Sequence, residues 1–320
     1  MRPRGACSKG DDFDHPLLDY LEAGGSEMDF LTQIINGLGQ GSIYALVALG
    51  YSMVYGITQL INFAHGDIIM VGAYTTYVML IMAGTPLWAA ILAAVLFCAV
   101  VGVIIEQVAY QRLLNKNAPR ISLLITAIGV SMLLQNLYQL IFKSDAKSVS
   151  NVLPSFPIPV GPLEISSVTL ITIVTSVLVM LLLQILVKKT RIGKAMRATS
   201  EDAGAAKLMG ISSRNTIAFT FAIGSGLAAI GAVLYCGAYP QITPYMGSML
   251  GLKAFVAAVL GGIGSIPGAM IGGILIGVAE SLTKALGWSQ ITDAVVFGIL
   301  ILVLLVKPAG LLGRNIKEKV

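Results

Sequence analysis

The residues of this sequence that could do chemistry are charged side chains set in or beside long apolar segments. They are Asp67, Glu106, Lys253, Glu280, Lys284 and Asp293. A charge is costly inside a bilayer, and one that is retained there often marks an ion or substrate path. Most of the six lie near the ends of apolar segments, where long side chains can reach water. Because a proton or sodium relay needs carboxylates in mid-span, and almost none occur here, the pattern argues against a secondary transporter.

The sequence contains no pattern for a metal, a nucleotide or a catalytic nucleophile. The thiols and imidazoles (Cys7, Cys98, Cys236, His15, His65) form no CxxC motif and no Cys/His cluster. The phosphate-binding pattern GxxxxGK[ST] is absent, as are GxSxG and HExxH. We therefore expect no metal, no cofactor and no enzymatic activity in this chain. If transport here uses ATP, a partner must supply the nucleotide site.

The composition indicates a membrane protein rather than a soluble one. Hydrophobic residues make up 56% of the chain and charged residues only 12%, whereas soluble domains carry about 25% charged residues. The alternating ten-residue segments of an outer-membrane barrel are missing. Most Lys and Arg residues flank apolar runs, which relates the net charge of +5 to membrane topology rather than to nucleic acid. We predict an all-α, polytopic transmembrane bundle in contact with lipid.

About eight spans are predicted, with one or two broken or re-entrant segments. The apolar runs cover residues 31–55, 68–83, 87–108, 121–142, 168–187, 215–236, 269–286 and 292–306. A further run, 251–260, is too short, because a bilayer needs about 20 apolar residues. It lies between a segment broken by Pro240 and Pro244 and the glycine-rich break GGIGSIPG. Irregular backbone at membrane depth must be buried in protein or face a water-filled cavity.

Two irregular stretches are candidates for lining a translocation path. The first, TQLINFAHGD at 58–67, carries polar residues without any Lys or Arg, and the second surrounds the GGIGSIPG break. The candidate path residues are Asn62, His65, Asp67, Lys253, Gly261, Gly262 and Gly264. Two plainer interpretations stay open. The first stretch could be an interfacial loop capped by Asp67, and Gly264, Gly268 and Gly272, four residues apart, could form a ladder for close helix packing.

The segments outside the spans differ in character. Residues 1–27 are polar and lack the apolar core of a signal peptide, so we expect a disordered tail. The transmembrane domain is expected to occupy residues 28–320. The proline-rich segment 143–167 is interpreted as an extracytoplasmic loop that could contact an external partner.

Residues 188–214 form the longest polar interruption in the second half of the chain. Seven basic residues lie in it, which places it in the cytoplasm. Thr199 or Ser200 could cap a helix whose first turn holds Glu201 and Asp202, and Gly210 could end that helix. Small residues at 203–206 would let another surface approach closely. The alternative is a solvated basic loop that only fixes topology.

Three stretches carry a resemblance to a known family. The string Ala205-Ala206-x-x-x-Gly210 resembles the docking loop of bacterial ABC importer permeases, although Gly204 stands where that motif has Glu. The longer GKAMRATSEDAGAAKLMGI, together with NFAHGD and AAVLGGIGSIPGAMIGG, resembles branched-chain amino-acid permeases of the LivH type. The resemblance implies an ATPase-docking surface made of Glu201, Asp202, Ala203, Gly204, Ala205, Ala206, Leu208 and Gly210.

The resemblance also implies a complex in the cell (cytoplasmic) membrane. It would contain two cytoplasmic ATPase subunits, a second permease chain or another copy of this one, and an extracytoplasmic substrate-binding protein. Its cargo would be branched-chain amino acids. A sugar or urea importer would share the docking loop, and a stand-alone secondary transporter or channel would need no ATPase. Both alternatives remain open at this stage.

Overall fold

The fold was obtained as a computed structural model, which describes residues 26–313 apart from 60, 117, 151 and 161–162. The expected tail 1–27 therefore lies almost wholly outside the described residues, as do the basic residues after 313. Within the described part, eight helices are long and apolar enough to cross a membrane. This confirms the all-α, polytopic bundle of about eight spans.

The helices of the first half follow the apolar runs closely. They are α1 (Ser26–Thr58), α2 (His65–Tyr77), α3 (Leu87–Ile105), α4 (Gln111–Asn115) and α5 (Arg120–Phe142). Two π-helical turns, Val78–Met82 and Glu106–Tyr110, extend α2 and α3.

In the second half, α6 (Ser167–Lys189) and α9 (Ser213–Ala238) enclose the polar loop, which holds α7 (Arg191–Glu201) and α8 (Ala203–Leu208). After the loop and α9 come α10 (Met246–Gly261), α11 (Ile266–Ala285), a 3-10 turn (Ser289–Ile291) and α12 (Thr292–Val306).

Two small sheets lie at the end of the bundle opposite the 188–214 loop. The hairpin β2 (Pro157–Val160) and β3 (Leu163–Ser166) pairs Val160 with Leu163, antiparallel, inside the proline-rich segment. The strands β1 (Lys147–Ser148) and β4 (Gln241–Ile242) pair antiparallel and join that segment to the turn after α9. The expected break between α9 and α10 is thus confirmed, and it is partly ordered as a strand.

Close contact between α1 and α11 forms the centre of the bundle. The two helices run antiparallel, with Gly41 and Gly37 of α1 facing Gly273 and Gly277 of α11. A Cβ atom at Gly277 would overlap the backbone of Gly41. In lipid, where no hydrophobic force drives helices together, such close backbone approach supplies the packing energy.

The proposed glycine ladder is only partly present. Gly264 lies in the turn before α11 with φ +88, so it is not on the helix. Gly268 and Gly272 do lie on α11, and they pack against Gly261 and Ala257 of α10. The four-residue spacing was misleading because the helix begins only at Ile266, where Ser265 caps it and accepts a hydrogen bond from Gly268 N (3.2 Å).

Candidate functional site: a polar loop and a charged cavity

The 188–214 loop is a folded two-helix unit rather than an open connection. Thr190 caps α7, since its Oγ1 accepts from Gly193 N at 3.0 Å. Asp202 caps α8, since its Oδ1 accepts from Gly204 N at 2.8 Å and from Ala205 N at 2.9 Å. The prediction that Thr199 or Ser200 caps the helix is wrong, because both residues lie inside α7. Asp202 alone adopts the extended backbone (φ −157, ψ 105) that separates the two helices.

The end of α8 agrees with the prediction for Gly210. This residue has φ +80, a conformation that glycine adopts without strain, and its N–H donates to Lys207 O at 3.1 Å. Ser213 Oγ donates to Ala203 O at 3.3 Å, which ties the start of α8 to α9. The loop is therefore attached directly to a membrane helix, so that a displacement of α8 can be passed to α9.

The surface that α8 offers to a partner is small and apolar. Leu208 and Met209 are 90% and 83% exposed, at the tip of the loop. Around them Ala203, Gly204 and Ala205 are exposed as well, whereas Ala206 is only 4% exposed and faces the chain's own interior. Large exposed apolar side chains outside the membrane-crossing segments are a mark of an interaction surface. The docking surface predicted from the sequence included Leu208 but not Met209.

The capping role of Asp202 gives a testable expectation. Asp202→Ala removes both cap hydrogen bonds, and the loss of an N-cap costs about 1 kcal/mol. We expect faster amide hydrogen exchange at 203–208. Asp202→Asn keeps the acceptor and serves as the matched control. Unchanged exchange in the Ala variant would show that the cap does not hold α8.

The charged residues of the apolar segments fall into two groups in the structure. Asp67 and Glu106 are each buried, the former accepting from Gln135 Nε2 at 2.9 Å. The other four form one network in which Glu280 Oε1 contacts Lys253 Nζ at 3.1 Å and Lys284 Nζ at 2.8 Å. Lys253 Nζ also lies 2.8 Å from Asp293 Oδ1. Glu280 lies one turn from the end of α11 but is only 3% exposed, so the expectation that it reaches water at a span end is wrong.

Three residues of this network, Lys253, Glu280 and Lys284, line a cavity of about 550 Å³. Tyr44 on α1 donates from Oη to Glu280 Oε2 at 2.8 Å, and Gln40 donates in turn to Tyr44 at 2.8 Å. The remaining wall includes the apolar residues Ile43, Met246, Met249 and Leu250. Apart from Lys253, none of these was identified as lining a path, because Tyr44 and Glu280 are 236 residues apart and no local pattern connects them.

The cavity and the polar loop lie at opposite ends of the bundle. Helix α9 starts directly after the loop, and the cavity lies at its other end, beside Tyr235 and Tyr239. The 26 residues of α9 span about 39 Å, at about 1.5 Å per residue, which separates the loop from the cavity.

The other predicted path residues do not line this cavity. Asn62, His65 and Asp67 are at most 2% exposed inside the bundle. Asn62 Oδ1 accepts from Tyr110 Oη at 2.7 Å, and the His65 ring packs edge-on against Tyr51 at 4.6 Å. These three residues lie where the chain turns back into the bundle between α1 and α2. Helix α2 begins beside Gly50, two turns before the end of α1.

The glycines of the GGIGSIPG break lie at the loop end of the bundle. Gly262 and Gly264 have φ +103 and +88 and form the turn between α10 and α11. Gly264 N donates to Ser52 Oγ at 2.9 Å. Gly264 also lines a small cavity of about 90 Å³ with Arg197 and Ser200 of α7. The structure thus brings the break next to the polar loop and keeps it apart from Lys253.

Comparison with known proteins identifies the family of this chain. The family model described as "Branched-chain amino acid transport system / permease component" matches residues 33–305. The permease protein BraD of Pseudomonas aeruginosa, named as part of a high-affinity branched-chain amino acid transport system, is 45% identical over 91% of this chain and 98% of its own length. LivH of Escherichia coli K12 is 44% identical with the same coverages, and a probable LivH of Methanocaldococcus jannaschii is 29% identical over 87% of this chain and 90% of its own. The chain belongs to the family of branched-chain amino acid transport system permease components.

Proposed function

We propose that this chain is the membrane-spanning permease subunit of an ABC importer that carries branched-chain amino acids across the cytoplasmic membrane. The observation that carries the proposal is the near full-length likeness to BraD and LivH, whose names state that transport activity. The folded loop with its exposed Leu208 and Met209 supports it, since an ATP-driven permease without a nucleotide site of its own needs a surface for a separate ATPase. The chain itself would catalyse no bond-breaking step.

The mechanism follows from the two ends of the bundle. ATP binding would draw two ATPase subunits together, and α8, held at Asp202 and Ser213, would pass that motion to α9. The far end of α9 contributes Tyr235 to the wall of the charged cavity. Substrate from an extracytoplasmic binding protein would enter there, and a second permease chain, or another copy of this one, would complete the path.

An uptake experiment tests this proposal against both alternatives. Vesicles containing the complete transporter should take up labelled leucine only with hydrolysable ATP. Unlabelled isoleucine and valine should compete, because they share the zwitterionic head and a branched aliphatic chain, whereas ribose and urea should not.

The contrary outcomes are equally informative. Uptake of ribose or urea in place of leucine would assign the chain to a related importer. Uptake of leucine by vesicles that hold this chain alone, without ATP, would identify a stand-alone transporter.

A further inference from the structure

We propose that the charged network of the large cavity is a binding site for the zwitterionic head of the transported amino acid. Glu280 would accept hydrogen bonds from the α-ammonium group, and Lys253 and Lys284 would donate to the α-carboxylate. This inference rests on the proposed function and adds to it the residues that contact substrate inside the membrane.

The hydrogen-bonding capacity left in the network matches such a head group. An ionised carboxylate has about four acceptor sites and an ammonium has three donors. Glu280 Oε1 accepts from both lysines, but Oε2 accepts only from Tyr44 among the described residues, which leaves an acceptor site. Within the same part of the chain, Lys284 Nζ and Lys253 Nζ each donate one hydrogen bond to Glu280, and Lys253 Nζ also forms an ion pair with Asp293. The network therefore still offers donors and an acceptor side by side.

Asp293 supplies an exchangeable partner for Lys253. Its side chain is 47% exposed, in contrast to 4% for Glu280 and 9% for Lys253. Only Lys253 is buried in this pair, so Asp293 does not depend on Lys253 to neutralise a buried carboxylate. A substrate carboxylate could thus replace Asp293 on Lys253 without leaving a buried charge unpaired, which would be strongly unfavourable.

The rest of the cavity suits an aliphatic side chain. Ile43, Met246, Met249 and Leu250 line it on the same two helices as Tyr44 and Lys253, and the two methionines can adapt to branched chains of different shape. The volume of about 550 Å³ lies within the range of about 300–1,000 Å³ that is usual for small-molecule sites. Charged groups beside apolar side chains in one cavity are what the head and the side chain of a branched-chain amino acid require.

Cysteine protection provides a direct test in the complete transporter. Met249→Cys, which lies in the cavity wall and is 46% exposed as Met, is labelled with a water-soluble thiol reagent in a Cys7→Ser background. Cys98 and Cys236 are buried and should react slowly. We expect leucine to slow the labelling, whereas leucinol, which lacks the carboxylate, and 4-methylpentanoate, which lacks the ammonium, should not.

A double variant without the central ion pair distinguishes a loss of binding from a loss of structure. Lys253→Met with Glu280→Gln removes the central pair and leaves Lys284 and Asp293 with opposite charges. Replacing a buried ion pair as a whole is often neutral for folding. We expect a folded complex that retains its ATPase subunits but shows no protection by leucine and no uptake. Lys284→Met changes a half-exposed position. It should raise about tenfold the leucine concentration that halves the labelling rate, because one charge-assisted hydrogen bond to the substrate is lost.

The outcomes separate this site from the proposed function. Protection by leucine that survives in the double variant, or equal protection by all three compounds, would overturn the site. If the double variant fails to fold, the Lys284→Met variant decides. An unchanged leucine concentration for halving its labelling rate would overturn the site as well. Uptake of leucine by the native complex without any protection at Met249→Cys would leave the function standing and remove the site. Absence of uptake by the native complex would instead count against the function.

Discussion

Replacing Leu208 and Met209 together with glutamine is expected to abolish ATP-driven transport while leaving the protein folded in the membrane. Both side chains are more than four-fifths exposed in this chain, so their loss removes no internal packing. Burying a large apolar side chain contributes about 1.5–3 kcal/mol. Two such anchors therefore amount to at least about a hundredfold in affinity for the ATPase, at about 1.4 kcal/mol per tenfold.

Glutamine is chosen because it tests the apolar contact alone. It has a helix propensity close to those of leucine and methionine, and it places no negative charge at the C-terminal end of α8, where the helix dipole would oppose it. The measurement is uptake of labelled leucine into vesicles with ATP. The exchange Leu208→Met with Met209→Leu keeps the apolar surface and should transport normally. Full uptake by the glutamine variant would show that the tip of α8 does not couple the chain to its energy source.

Gly277→Leu is expected to prevent assembly of the bundle. A Cβ at this position would overlap the backbone of Gly41, and backbone cannot move aside as a side chain can. Over-packing costs about 1–3 kcal/mol even where neighbours are able to shift, and here the helix pair α1–α11 would have to separate along its length. The measurement is the yield of monodisperse protein in size-exclusion chromatography after detergent extraction.

A glycine outside any contact supplies the control for that experiment. Gly298 lies on α12, and a Cβ there would meet nothing within 4 Å. Gly298→Leu should therefore be extracted at the native yield. Equal recovery of the Gly277 and Gly298 variants would contradict the inference that the α1–α11 contact holds the bundle together.

The sequence was sufficient for the bundle because membrane spans leave a strong local signal. Runs of about 20 apolar residues, and the break made by Pro240 and Pro244, can be recognised one segment at a time. The cap of α8 was misassigned for a local reason as well. Thr190, Thr199, Ser200 and Asp202 are all capable caps within a short stretch. Only the fold shows that the chain extends at Asp202 and stays helical through Thr199.

The charged network could not be predicted because its members come from four separate helices. Tyr44, Lys253, Glu280 and Asp293 lie on α1, α10, α11 and α12. Lys253 was a candidate path residue, but Glu280 and Asp293 taken alone resemble ordinary residues near span ends. Their shared location follows from the glycine contact between α1 and α11, which brings Tyr44 to Glu280.

The central claim is that this chain works as the permease of an ATP-driven importer through its 188–214 loop. The most direct measurement is capture of ATPase subunits by the tagged, detergent-solubilised chain, native and with Leu208 and Met209 changed to glutamine. We expect the native chain to retain the ATPase and the variant to lose it. If the native chain captures no ATPase and still transports leucine by itself in vesicles, the claim is contradicted, and the loop serves only to orient the chain in the membrane.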